Sequence, residues 1–566
     1  MTTARDTPER IDVAIAGGGV SGLYTAWRIL SVAKELGEPA PKVTVYEMSE
    51  RVGGRLLTWL PAGPKSGLRA ELGGMRLFED QQLLWTLLFE LGFEKKDIVP
   101  FYVSGENLVL RLRGENMPLN KPPHPTARYL VDPAVVGQTP QQAMEGVIGE
   151  VLGTKENTEA LNQFTGSTEP PTDRRDWDAV KPHLTWHGEP LGNVGFWNLI
   201  SEIRNSETYD YLGDGFGYYS LGSNWNAAEA IQFIWDDFTS KFPYVTLAEG
   251  YSALPERLAA EVQALGGRIE LGTRLASFET TGNRTARATL AGPSGSFEIE
   301  AGLLVLAMPR RSLELLGQSP GLDLRGSPKL NKLVESVTLV PAFKLFLFFE
   351  ERWWEKRKID RGRSVSDLPI RQTYYMAPDS LYSGGATPPW GVLMASYDDE
   401  RAVDYWQGLV PPADQLEQGR AELREALAGL VERAGPEGAS GEDVTEPPPH
   451  LHKAPPQMIE RAMEQLRLLH AFPGIPAPAV GAFADWGLDP YGGGWNFWKP
   501  AVDVKETMEA IRAPLGPEQN VFIVGEAYSG VQGWVEGALT ATELTLQKHM
   551  GLGPPSWLPS KYYLGW

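Results

Sequence analysis

Glycines, one glutamate, two cations and a pair of aromatic-flanked turns sit at intervals in this chain that could assemble a site for a phosphate-bearing molecule. The run "VAIAGGGVSGLYTAWRIL" carries Gly17, Gly19 and Gly22 between an apolar stretch and a helix-like one. Gly17 permits a tight turn, Gly19 lets backbone approach a pyrophosphate, and Gly22 allows close packing of helix on strand. The helix start then offers unpaired N–H groups and a partial positive charge to the phosphates. Glu47 ends a second strand-like run, "PKVTVYE", 25 residues after Gly22, where an acid can accept both hydroxyls of an adenosine ribose. Gly53, Gly54 and Arg55 follow as a second backbone approach with a guanidinium fork suited to pyrophosphate. Arg76, in "ELGGMRLF", is a planar partner for a carboxylate, of a ligand or of a structural ion pair. Lys344 lies inside the apolar run "PAFKLFLFF", where an unaided ammonium is costly unless it reaches solvent at a sheet edge.

Two phosphate-contacting loops around one dinucleotide favour FAD over the shorter NAD. Composition removes other chemistries. There are no cysteines, so disulfides, thiolate metal sites and cysteinyl cofactor links are out. The seven histidines show no helical metal-binding spacing except His183 and His187, which Pro182 and Thr185 disturb, so no metal is expected. A net charge of −20 argues against nucleic acid and anionic membranes as partners. No apolar run approaches the ~18–20 residues of a membrane span, and the polar opening "MTTARDTPER" lacks the core of a signal peptide. A soluble, cytoplasmic protein is expected, with a homodimer as the default assembly.

The elements that must hold these residues can be read along the chain. At 566 residues, two or three domains are expected. "IDVAIAG" reads as a buried parallel strand and "VSGLYTAWRILSVAKELG" as the helix after it. Thr139 and Pro140 open a helix-rich stretch that runs to about residue 236. Residues 251–279 read as helix, glycine stop, strand and strand, and "AGLLVLAMPRRSL" as another buried strand. Alternating strands dominate after residue 321, followed by two helices, and "NVFIVGEAYSGVQGW" returns to a buried strand near the end.

Together these motifs resemble the flavin amine oxidase superfamily, closest to FAD-dependent L-amino acid oxidases. The resemblance rests on Glu47-"MSERV"-Gly53-Gly54-Arg55, on Gly73-Gly74-Met75-Arg76, and on Gly525-Glu526 with Gly533-Trp534, in family order across nearly the whole chain. It is weakest over residues 131–236. It implies an α/β (α+β overall) fold of three parts. A Rossmann-like FAD-binding domain would draw on residues 8–75, 237–320 and 480–550. A substrate domain with a mixed or antiparallel sheet would take 76–130 and 321–479, and a helical insertion 131–236.

The resemblance also assigns roles. Gly74 and Met75 would pass beside the flavin, Leu275 would border the adenine, and Glu526, after Gly525, would meet a ribityl hydroxyl. Trp486 would cover the flavin. Arg76 and Tyr397 would clamp a substrate carboxylate, Ser396 being the less persuasive alternative to Tyr397. Lys344 would reach the flavin N5 through water and help the reaction with oxygen. The Gly533 carbonyl would accept from the substrate amine, and Trp534 would form an aromatic wall. Tyr374 or Tyr375 would form another wall, only one of the two because successive strand residues face opposite ways. There is no histidine between His187 and His450 to act as a base. The implied reaction is FAD-dependent oxidation of an L-amino acid by dioxygen to 2-oxo acid, ammonia and hydrogen peroxide, with FAD bound non-covalently. An amino-acid 2-monooxygenase, an oxidase of simple amines and a non-catalytic dinucleotide-binding module remain the alternatives. Asp214, Asp236 and Asp237 are available to a basic substrate but read more readily as solvated acids.

Overall fold

The structure is a computed structural model describing residues 8–63, 69–119, 128–281, 284–376, 390–435 and 440–566. Two sheets organise it. The first has seven strands and is built around Glu9–Ala16, which is flanked in parallel by Val43–Tyr46 and by Gly295–Leu306. Ile15, Val45 and Val305 stand side by side in this register, fully buried, which is why these strands read as continuous apolar runs. Gly295–Leu306 is long enough to serve two partners. Its first half pairs with Ala286–Gly292, and its last residues pair with Val521–Ile523. The α/β expectation is met: helices cover this sheet.

Helix Val20–Leu36 packs between Ala253–Ala264 and Val535–Met550. A buried polar joint locks the first of these to the last. Arg28 Nε donates to Glu543 at 3.0 Å and the Tyr24 hydroxyl donates to the same carboxylate at 2.7 Å. Both charged side chains are almost wholly out of water. Such a pair is costly to break from one side, because a lone buried charge remains.

The second sheet has eight strands, mostly antiparallel. Ala342–Phe349 lies at its heart, between Gly391–Asp399 and Val480–Asp485. Lys344 pairs across to Tyr397 on one side and Ala484 on the other, so it is not an edge residue. Val480–Asp485 had been expected among the FAD-binding segments; its apolar register against Phe343–Phe348 puts it in the second sheet instead. The expected boundary at 236/237 also moves, because helix Ala227–Thr239 runs straight through it.

The helical segment is stitched by local signals. The Thr139 hydroxyl accepts from the Gln142 N–H at 3.2 Å, and the Gln142 side chain accepts from the Thr139 N–H at 3.0 Å. This reciprocal cap starts Pro140–Leu152 where the sequence places it. The six α-helices between residues 140 and 239 share a core through Val147, Trp177, Phe196 and Ile231. The last of them, Ala227–Thr239, delivers one face to the space between the two sheets. Among the described residues no helix is long and apolar enough to cross a membrane.

Candidate active site

A cavity of about 600 Å³ runs from the glycine turn of the first sheet to the middle of the second. Its near end is a cradle walled by glycines. Gly17 has φ +114°, and a Cβ there would lie 2.3 Å from the Ala307 carbonyl oxygen. Gly22 does not line the cavity; a Cβ on it would lie 1.9 Å from the Gly17 oxygen, so it serves helix packing. Gly19 differs from both. Its backbone is extended and a Cβ on it would meet nothing within 4 Å, because it faces the open cavity. Gly53 N–H donates to the Gly18 carbonyl at 2.9 Å, which lays the second glycine loop, with Gly54 at φ +59°, against the first.

Glu47 is fixed at the mouth of this cradle. It accepts from the Gly18 N–H at 2.6 Å and from the Ser49 N–H at 2.8 Å. Leu275 lines the same end, beside a β-bulge. Arg55 lines the cavity but its Nη1 is engaged, donating to Glu526 at 2.9 Å and to the Gly494 carbonyl at 3.0 Å. Glu526 is a hub: it also accepts from the Gly533 N–H at 2.8 Å and from backbone and side chain of Asn496, each at 3.1 Å. Positive-φ backbone at Gly525 (φ +141°) and Gly533 (φ +79°), which glycine adopts without strain, brackets this hub, with both glycines on the cavity wall.

The far end gathers the predicted chemistry. Gly74, Met75 and Arg76 line it, held because the Gly74 N–H donates to the Arg55 carbonyl at 2.9 Å. Lys344 is 2% exposed; its Nζ donates to the carbonyls of Glu71 (2.9 Å) and Gly73 (2.6 Å) and stands 4.6 Å above the Tyr397 ring. Burial pulls its pKa down to about 7, with Arg76 adding to the shift and Glu71 opposing it.

Arg76 donates to the Tyr374 hydroxyl at 3.2 Å and its guanidinium lies 4.2 Å over the Tyr244 ring. No ion pair within 4.0 Å engages it among the described residues. Burial works against its charge, but the surrounding tyrosines and the Asp237 carboxylate outweigh that and it remains a firm cation. Burial pushes the Tyr374 phenol up, while Arg363 and Arg76 pull harder and leave it below its usual value.

Of the two tyrosines expected as a wall, neither lines the cavity: Tyr374 accepts from Arg76 behind it, and the Tyr375 hydroxyl donates to Ser364 at 2.9 Å in a separate core. Tyr397 lines the cavity, whereas Ser396 turns away to the Ile370 carbonyl and Asp398. Trp486 lines the cavity with its indole N–H donated to the Leu72 carbonyl at 2.7 Å. Trp534 lines it too, nearly parallel to Tyr244 at 13°.

Several lining residues carried no sequence signal. Tyr218, just past the helix Ser206–Phe216, stands edge-on to Tyr397 at 5.4 Å. Phe233 comes from helix Ala227–Thr239, as does Asp237, one of the acids the sequence offered to a basic substrate, and Tyr251 and Trp495 complete the walls. Of the three acids noted in the helical region, Asp214 and Asp236 do not line the cavity. Asp214 accepts from Tyr129, and Asp236 from the Trp177 indole.

A family model described as flavin containing amine oxidoreductase matches residues 20–452. Achacin of Lissachatina fulica is 22% identical, over 97% of this chain and 95% of its own length. An L-amino-acid oxidase of Pseudechis australis is 22% identical over 93% of this chain and 84% of its own length. Among solved structures, a putrescine oxidase variant superposes with a TM-score of 0.60 at 17% identity, covering 96% of this chain and 99% of that one. The match over most of the chain, with the glycine cradle and the wall around Arg76 on one cavity, shows that the chain belongs to the flavin-containing amine oxidoreductase family.

Proposed function

We propose that the chain is an FAD-dependent L-amino acid oxidase, converting an L-amino acid, dioxygen and water to a 2-oxo acid, ammonia and hydrogen peroxide. The observation that carries this is Arg76, a partly buried cation on the cavity wall with tyrosines for direct partners and no carboxylate within 4.0 Å among the described residues, Asp237 acting on it only from beyond Tyr244. A partly desolvated guanidinium without a directly paired anion is stabilised by a carboxylate that enters the cavity.

The cavity suits FAD. Gly19 leaves open the space a Cβ would fill, Glu47 keeps lone pairs beside Leu275 for a ribose, and the Tyr251 hydroxyl is buried without a partner among the described residues. When bound, FAD supplies the acceptor for the Cα hydrogen and passes the electrons to dioxygen. The chain's own residues do the rest. Arg76 and Tyr397 would hold the substrate carboxylate, and the Gly533 carbonyl would accept from the amine. Trp534 and Tyr218 would keep water from the reacting carbon.

Attachment is expected to be non-covalent: the chain has no cysteine, and no histidine among the described residues lines the cavity. Acid precipitation should therefore leave all yellow colour in the supernatant; colour in the pellet would mean a covalent link.

Lys344 yields a prediction with a sign. With its pKa near 7 it is charged below that pH and neutral above it. If the ammonium assists the reaction of reduced enzyme with oxygen, that rate should fall as pH rises through 7. In Lys344→Met the rate should be lower by about 100-fold and the pH step should vanish. Stopped-flow mixing with oxygen reads both. A mutant slowed only in the reductive half would contradict the role.

The reading as a whole is tested by a peroxide-coupled screen of the twenty L-amino acids, their D forms and their decarboxylated amines. Oxidation of the L series alone is expected. Equal turnover of amines would make the protein a simple amine oxidase, and an amide product would make it a monooxygenase.

A further inference from the structure

We propose that Asp237 makes this cavity selective for L-amino acids with a cationic side chain, such as lysine, ornithine and arginine. The inference rests on the oxidase reading above and specifies its substrate class. Asp237 stands on the helix Ala227–Thr239 and lines the same cavity as Arg76. The two charges are arranged around one ring: the Arg76 guanidinium lies over the face of Tyr244, and the Tyr244 hydroxyl donates to the Asp237 carboxylate. They do not pair with each other directly, so the cavity presents a fixed cation and a fixed anion, separated by a tyrosine.

A zwitterionic ligand with a second ammonium is complementary to that pattern. Its α-carboxylate meets Arg76 and its distal cation meets Asp237. The intervening walls favour the same ligand. Phe233 lies one turn before Asp237 on the same helix face, and Tyr218, Trp495 and Trp534 add aromatic surface. Aromatic faces attract ammonium and guanidinium groups, most strongly where water is excluded. Glutamate and aspartate would set a carboxylate against Asp237, and apolar side chains would leave its charge facing them without a counterion.

A purely structural role, in which Asp237 only holds Tyr244 in place, can be separated from this. Asp237→Asn keeps an acceptor for the Tyr244 hydroxyl and removes the charge. L-Lysine and L-norleucine differ in the terminal ammonium, and 6-aminohexanoate and hexanoate are their counterparts without a reacting amine. In the unaltered holoenzyme kcat/KM for L-lysine should exceed that for L-norleucine by ~100-fold. 6-Aminohexanoate should be the tighter competitive inhibitor of the two acids. Asp237→Asn should shrink both ratios at least ~10-fold, and Asp237→Glu, which restores the charge, should recover part of each.

Equal handling of lysine and norleucine by the unaltered enzyme, or ratios unchanged in Asp237→Asn, would overturn the proposal while leaving the oxidase reading intact. Cadaverine, which is lysine without its carboxylate, tests the other half. If it is oxidised as well as L-lysine, the carboxylate reading of Arg76 fails instead.

Discussion

Arg76→Ala should lose most of its kcat/KM for any L-amino acid while keeping its cofactor and its fold. The guanidinium lies over Tyr244 and donates to Tyr374, with no ion pair within 4.0 Å among the described residues, so its fork is free to meet a substrate carboxylate entering the cavity. Removing one partner of a buried charge pair costs ~2–5 kcal/mol, or about 30- to several-thousand-fold in kcat/KM. Arg76→Lys should recover only part of this, since an ammonium keeps the charge without the two-pronged geometry. The unaltered protein should in turn barely oxidise the matching decarboxylated amine, which would leave Arg76 desolvated and unpaired. Steady-state peroxide assays of an L-amino acid, its D form and its amine on each protein decide the matter. An Arg76→Ala protein equally slow on the amine would show that Arg76 shapes the cavity rather than binding a carboxylate.

The second large effect separates two glycines three residues apart. Gly22→Ala should destabilise the protein by at least ~3 kcal/mol, because its Cβ would lie 1.9 Å from the Gly17 carbonyl oxygen and the helix Val20–Leu36 would have to move off the sheet. Gly19→Val should do the opposite. Its φ of −75° is open to any residue and its side chain would project into empty cavity. The expected product is a folded, colourless protein with a melting temperature close to that of the apo form. Far-UV circular dichroism, thermal unfolding and the absorbance near 450 nm read the three quantities together. A Gly19→Val protein that retains full colour would remove the pyrophosphate from this cradle.

What the sequence revealed, and what it hid, follows from how local each constraint is. The turn at Gly17, the strand end at Glu47 and the glycine turn at Gly53 are decided by backbone geometry within a few residues, and they were legible. Lys344 was legible because a lone cation in an apolar run has few explanations. Tyr374 against Tyr375 was not, since parity along these strands is broken by bulges between Gln372 and Tyr374 and between Leu345 and Phe346. Tyr218, Phe233 and Asp237 were out of reach for a different reason. They belong to the helical segment, and which helix face meets the cavity depends on packing against the two sheets rather than on any local pattern. Asp237 therefore read as a surface acid. Val480–Asp485 was misplaced because an apolar strand suits either sheet until its partners are known.

The joint of Tyr24 and Arg28 with Glu543 also bears on how the protein is made. The first helix emerges from the ribosome early, yet its buried cation meets its counterion only when helix Val535–Met550 arrives, and Val521–Ile523 joins the strand Gly295–Leu306 just as late. At ~5–20 residues per second, roughly 25–100 s pass between synthesis of Arg28 and of Glu543. Throughout that interval the nascent first domain carries an unpaired guanidinium on a face meant for the interior and an open strand edge, which are conditions that invite chaperone binding and aggregation. Chains interrupted before Val521 should accumulate as insoluble or chaperone-bound material rather than as a folded nucleotide-binding half.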